Sequence, residues 1–222
     1  MEKKFILTDK FVINSFGIKL FQIKCTKSFK YAQKGDFGGY VEKEGNLDQE
    51  NDAWVFGNAR VFGNARVSSN ARVSGDAWVS DNARVSGDAW VSDNAWVSSN
   101  AWVSGDALVS GYAWVSGDAR VFGNARVSGD AWVSGNAWVS GDADIENDNE
   151  HCGFDGFGSC NRHTHAYMTK EKKVEIICGC FRGSIEEFEK KVEETHSGTV
   201  YEKQYKSIIN VIKIKFGLTD FT

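Results

Sequence analysis

The chain has 222 residues, a formal net charge of −4, no proline and five cysteines. That balance disfavours a nucleic-acid partner, which calls for a strongly basic surface, and an odd cysteine count with four crowded between 152 and 180 is not a secreted disulfide framework. No run of about 18 apolar residues exists for a membrane span, and Met1-Glu2-Lys3-Lys4 leads into only a short apolar stretch, so no membrane partner and a cytoplasmic location are expected.

Residues 1–39 hold the apolar runs Phe5-Ile6-Leu7, Phe11-Val12-Ile13 and Leu20-Phe21-Gln22-Ile23, joined near Asn14-Ser15-Phe16-Gly17. They read as two or three β-strands that cap a stack of strands beginning after them, since such a stack left open at its end offers an unpaired edge. From residue 40 a new phase begins. Val41 and Leu47 stand twelve and six residues before Ala53 and form a degenerate first coil.

Between Asp52 and Asp142 one six-residue phrase, Asn/Asp-Ala-Arg/Trp-Val-Ser/Phe-Gly, repeats almost without interruption. Alanine occupies every sixth position from 53 to 143, valine follows two residues later from Val55 to Val139, and Ile145 closes the series. Residues two apart share one side of a strand, so each Ala/Val pair faces inward and the residue between them faces out. The remaining positions, such as Gly57-Asn58 and Gly75-Asp76, are residues that tolerate the left-handed angles of a corner. Three strands and three corners make a triangular coil of eighteen residues, and each coil buries its apolar face only by stacking on the next. The absence of proline suits this, because every backbone N–H can serve a ladder.

Val55-Phe56-Gly57-Asn58-Ala59, an aliphatic residue followed four places later by a small one, resembles the hexapeptide-repeat, left-handed parallel β-helix superfamily. The resemblance covers residues 40–145 and implies a left-handed triangular solenoid of about six coils. It also implies side-by-side homo-oligomers, with a threefold trimer the usual arrangement and a dimer the alternative. The superfamily includes acyltransferases, zinc carbonic anhydrases and non-catalytic scaffolds, so the fold alone does not choose a chemistry. The opening Gly38-Gly39-Tyr40-Val41-Glu42-Lys43-Glu44-Gly45-Asn46-Leu47 is similar to that of uncharacterised phage-borne bacterial hexapeptide-repeat proteins. So is the later segment Cys178-Gly179-Cys180-Phe181-Arg182-Gly183-Ser184-Ile185-Glu186-Glu187-Phe188-Glu189.

Positions eighteen apart stack, which sorts the outward residues into three faces. Trp54, Arg72, Trp90, Leu108, Arg126 and Asp144 share one, and Arg66, Arg84, Trp102, Arg120 and Trp138 share another, where Arg and Trp can form cation–π pairs. The third face starts at Arg60 and then runs Trp78, Trp96, Trp114, Trp132 without a break. Four contiguous indoles, at about 150–250 Å² each when buried, exceed the apolar patch a monomer usually exposes. These four are the candidate subunit-interface or partner-binding residues, with Trp96 and Trp114 the expected centre. Catalytic residues are not expected on the coils, since residues 52–143 hold no His, Cys, Lys or Glu.

After Ile145 the register fails. Residues 146–160, rich in glycine, read as a linker, and 161–222 read as a small α+β unit of ββαα order. Its strands are expected at 164–169 and 174–181, and its helices behind the capping boxes Ser184-x-x-Glu187 and Thr199-x-x-Glu202. A four-residue turn at 170–173 would set His165 opposite Cys178 and His163 opposite Cys180, a Cys₂His₂ metal candidate with a tight Cys-x-Cys spacing. The simpler expectation is no metal and no cofactor, with Cys178 and Cys180 continuing the inward series Val174, Ile176. Cysteine catalysis would need Cys152 or Cys160 beside His196, and nothing in the spacing fixes that.

The fold class expected is therefore mainly β: a left-handed parallel β-helix with an N-terminal β cap and a small C-terminal α+β domain. The function expected is a non-enzymatic oligomeric binding or assembly protein, phage-encoded by resemblance, with a host or signalling protein or a small ligand as partner. The alternative is a hexapeptide-repeat acyltransferase with a site between subunits or on the terminal domains.

Overall fold

A computed structural model describes residues 2–218. From Trp54 to Ile145 the chain winds as a parallel solenoid of sixteen two-residue strands, three to a coil, over about six coils. In each strand the second residue is the inward Val or Ile, fully buried, and the alanine just before the strand is buried with it. The coils are joined by evenly spaced bonds such as Arg60 N–H to the Ala77 carbonyl at 2.9 Å and Phe62 N–H to the Val79 carbonyl at 3.0 Å. Register between coils advances by eighteen residues, as in Trp78↔Trp96 and Arg66↔Arg84, so the period read from the sequence is the period of the fold.

Corners continue the ladder with side chains. Asn64 donates to Asn82, Asn82 to Asn100 and Asn100 to Asp118, at 3.2, 3.1 and 3.0 Å, so one edge of the prism carries a column of carboxamides.

The N-terminal cap is an antiparallel hairpin, Phe5–Ile13 with Lys19–Cys25, continued by Phe37–Val41, which pairs in parallel with the Arg60–Val61 strand. It closes the first coil and covers Trp54, which is 1% exposed between Phe5 and Phe29 at ring distances of 6.3 and 5.4 Å. Lys4, buried by the same cap, donates its ammonium to the Ala53 carbonyl at 2.9 Å, and burial pulls its pKa down to about 8.

At the other end the structure corrects the sequence reading in three places. The C-terminal unit has four antiparallel strands rather than two: His151–Phe157, Arg162–Met168, Val174–Cys178 and Phe181–Ser184, in sheet order along the chain. The first occupies much of the expected linker. Gly153 looks like linker by composition, yet a Cβ there would sit 2.7 Å from His163 Cε1, so packing rather than looseness selects glycine. The predicted strand 174–181 is broken at Gly179, whose φ of +61° turns the chain and frees Phe181–Ser184 to form its own strand.

The third correction is register. Met168 pairs with Val174, so the turn spans 169–173, one residue longer than expected, and Thr164 rather than His165 lies opposite Cys178. A slip of one residue exchanges the faces of a strand. Ala166, Ile176 and Cys178 face the helices α1 (Ile185–His196) and α2 (Val200–Lys215), together with Phe188, Val192, Tyr205, Ile208, Ile209 and Ile212. Tyr167 and Ile177 face the solenoid and join its core. Both helices begin where expected, with Ser184 Oγ accepting from Glu187 N–H at 3.2 Å and Thr199 Oγ1 accepting from Glu202 N–H at 3.4 Å.

Candidate functional site

Two surfaces gather the residues of interest, the tryptophan face of the solenoid and the junction between its last coil and the C-terminal cap. Trp78, Trp96, Trp114 and Trp132 lie in register on one sheet. Trp96 stacks on Trp114 at 5.2 Å and 11°, and Trp114 on Trp132 at 5.1 Å and 4°, while Trp78 meets Trp96 edge-on at 5.5 Å. The indole N–H of each later member donates sixteen residues back, Trp96 to Ser80, Trp114 to Ser98 and Trp132 to Ser116, at 3.2, 3.0 and 3.4 Å.

The serines beside the ladder therefore have a structural partner, and the row is more self-sufficient than an isolated patch. Part of it is also covered from within the chain. Phe16, at the tip of the N-terminal hairpin, lies 6.2 Å from Trp78 and 6.4 Å from Trp96, and is itself 59% exposed. Trp78, Trp96 and Trp114 are half-buried, and exposure peaks at Trp132, 50%, rather than at mid-ladder. The sequence held no signal for Phe16, because a hairpin tip has no place in the hexad phase.

The other faces divide as their spacing predicts. Arg72 lies over Trp90 at 4.5 Å, and Arg120 lies between Trp102 and Trp138 at 5.9 and 5.4 Å. Those indoles spend a face on a neighbouring cation. Among the described residues the tryptophan face has only Arg60 over Trp78, at 5.1 Å.

At the junction, the solenoid-facing side of the cap sheet carries His151, Asp155, His163, His165 and Tyr167. His165, 1% exposed, places Nδ1 2.9 Å from the Trp138 carbonyl and Nε2 3.2 Å from His151 Nδ1. A carbonyl only accepts, so His165 holds its proton on Nδ1, accepts at Nε2, and His151 donates from Nδ1. Burial, with the neighbouring His151 and His163, pulls the His165 pKa down to about 3, and burial lowers that of His151 as well. Tyr167 donates to Glu175 at 2.5 Å and lies 3.2 Å from the Ser140 carbonyl. These are contacts of a closely packed interface in which the imidazoles of His151 and His165 are held neutral.

His163 lies nearer the rim. Its Nδ1 donates to Asp155 Oδ1 at 2.8 Å, a carboxylate that also accepts from Asn136 Nδ2 at 3.2 Å. The His163 hydrogen bond, then Asn136, hold the Asp155 carboxyl below its usual pKa. Beside them opens a cleft of about 440 Å³ lined by Asn136 and Trp138 of the solenoid and Asp155, Asn161, Arg162, His163, Ile177 and Gly179 of the cap.

The candidate Cys₂His₂ set of His163, His165, Cys178 and Cys180 does not assemble. Cys178 is buried on the helix side, accepting from Thr164 Oγ1 at 3.2 Å, while the histidines are on the opposite face and Cys180 is exposed in the turn. Among the described residues no three His, Cys, Asp or Glu side chains converge on a point where a metal could sit. Of the cysteines weighed for catalysis, Cys160 is exposed and Cys152 is half-buried with its pKa pushed up to about 11 by burial, the reverse of what a nucleophile needs. His196 stacks on Tyr205 at 5.5 Å. Sequence reasoning missed the junction because the register error placed the histidines with the cysteines. The alternation His163, His165, Tyr167 against Thr164, Ala166 was the available signal.

The family described as YdcK Beta solenoid repeat matches residues 65–81, 77–93, 101–117 and 119–135. The likeness falls wholly within the coils, and it agrees with their repeat β-solenoid architecture. A search of curated proteins finds no match to the chain. No helix among the described residues is long and apolar enough to cross a membrane.

Proposed function

We propose that the protein is a non-catalytic binding and assembly component that works in the cytoplasm. Its solenoid serves as a rigid post that associates with further copies through the tryptophan face, and its C-terminal cap serves as the recognition head. The observation that supports this is the asymmetry of the faces: arginine, leucine or aspartate interrupts the Trp rows on two of them, whereas four indoles run unbroken on the third and end in the half-exposed Trp132. The resemblance to hexapeptide-repeat proteins favours a trimer, with a dimer as the alternative, and the phage-type likeness of the flanking segments makes a host or signalling component the partner class.

Light scattering tests the reading. Wild type is expected to be oligomeric, and Trp114→Arg/Trp132→Arg to be monomeric with its β-rich circular dichroism intact, since the coil already accepts arginine at Arg66 and Arg84. A monomeric wild type, or an unchanged oligomer in the folded variant, rejects self-association through this face. Saturable binding of acetyl-coenzyme A would instead support the acyltransferase reading.

A further inference from the structure

The cleft between the last coil and the cap has the composition of a binding site rather than of a packing fault. It lies where two structural units meet, a preferred place for small-molecule sites, and its volume of about 440 Å³ falls within the usual range for them. Two of its side chains rest on glycines. A Cβ on Gly153 would press on the His163 ring at 2.7 Å, and a Cβ on Gly179 would stand 2.5 Å from Arg162 Nη1. Gly153 thus makes room for the imidazole, while Gly179, at φ +61°, is set by the turn it makes.

Charge decides what such a cleft takes. Arg162 has no carboxylate within ion-pair distance among the described residues, whereas Arg126 and Arg182 each have one. The only carboxylate in the lining, Asp155, already accepts from His163 and Asn136. Among the described residues the one cation of the lining is therefore the Arg162 guanidinium, which lies beside the Cys180 thiol and no carboxylate, and its planar fork matches phosphate or carboxylate oxygens. On the solenoid side, Trp138 is 38% exposed and with Ile177 supplies an apolar wall. His163 Nε2 has no partner in the structure and is buried against Gly153, so it is not part of the surface offered to a ligand.

We propose that this cleft binds a small planar organic anion of the nucleotide class, its phosphate on Arg162 and its ring against Trp138 and Ile177. The proposal rests on the reading of the cap as a recognition head and gives that head a ligand. It does not depend on the tryptophan face.

Isothermal titration calorimetry of the full chain with the four ribonucleoside monophosphates, with the free nucleosides and inorganic phosphate as separate arms, tests it. At least one monophosphate is expected to saturate a single site per chain and to bind more tightly than its nucleoside or phosphate alone. Arg162→Gln should weaken it at least about tenfold, as loss of a charge-assisted fork would. Arg84→Gln, on the same solenoid face but outside the cleft, should leave it unchanged. Flat titrations to millimolar concentration with all four monophosphates, or binding indifferent to Arg162→Gln in a variant whose melting curve matches wild type, would overturn the proposal. Light scattering on the Arg162→Gln protein separates this from the assembly reading, because self-association should persist whichever way the titration falls.

Discussion

At the corners of the solenoid one dihedral angle reports how tightly the coils stack. Gly63, Gly75, Gly87, Gly105, Gly111, Gly117 and Gly123 sit at φ of 67–69°, whereas Ser69, Asp81, Asp93 and Ser99 at equivalent corners sit at 58–60°; the corner glycines towards the two ends of the stack, Gly57, Gly129, Gly135 and Gly141, range from 57 to 65°. A Cβ built on Gly87 as it stands would come 2.8 Å from the Gly105 nitrogen, so a side chain is admitted only by a small rotation away from the next coil. Asp81 and Asp93 offset that strain with a bond, accepting from Ser99 N–H at 3.1 Å and Gly111 N–H at 3.2 Å. Gly87→Ser is accordingly expected to cost about 1–2 kcal/mol, the usual penalty of a left-handed residue, and Gly87→Val distinctly more because a β-branched chain tolerates that region least. Urea denaturation of the two variants checks the ordering, and equal losses would show that crowding against the next coil is not the cause. The identity of the corner residues was legible in the sequence because Gly, Asn and Asp occur there for a local reason. The carboxylate bonds from coil to coil were not, since they depend on stacking geometry between residues eighteen apart.

The C-terminal cap shows where local pattern stops being informative. Its helices were readable from their capping boxes, and the buried positions Ile185, Phe188 and Val192 fall where the apolar stripe put them. The sheet was not, because a turn longer by one residue inverts every side chain and a glycine that accommodates His163 looks like linker. As a result the histidines expected to border two cysteines instead seal the cap to the last coil, and this gives the cap a pH dependence with a definite sign. His165 is neutral in the folded chain, with a pKa of about 3 against an ordinary value of 6.5. Between those values the unfolded chain binds the proton that the folded one refuses, so stability is full above about pH 6.5 and falls as pH drops, by up to about 1.4 kcal/mol per unit for one such group. His151, shifted the same way, adds to the slope. Unfolding midpoints between pH 7 and 5, above the range where most carboxylates protonate, should therefore decline, and His165→Gln should flatten the decline. A wild-type midpoint independent of pH across that window would mean the histidines are not held neutral at this interface.

On the scale of the whole molecule the solenoid is a register device: three equivalent faces distinguished only by which outward residue recurs every eighteenth position. Removing residues 82–99, one full coil, joins Asp81 to Asn100 and brings Trp78 beneath Trp114, so every face keeps its own sequence and the ladder shortens by one member. Removing residues 100–111, two hexads, also leaves each Ala/Val pair inward and each corner occupied by a residue type the repeat uses. It moves everything downstream to another face, however, so that Trp78 and Trp96 are followed by Arg126 and Asp144 while Trp114 and Trp132 follow Arg66 and Arg84, and no row of more than two indoles is left. Stability in a solenoid is approximately a sum of units and nearest-neighbour interfaces, so both deletions are expected to fold, with the larger deletion losing more. Their association should differ. If the contiguous indoles hold copies together, the protein lacking eighteen residues, which keeps three in a row, remains oligomeric in light scattering and the protein lacking twelve does not, although it retains more of the chain. Oligomers of equal size from both folded deletions would show that the tryptophan row is stacking reinforcement for one sheet and that assembly, where it occurs, uses another surface.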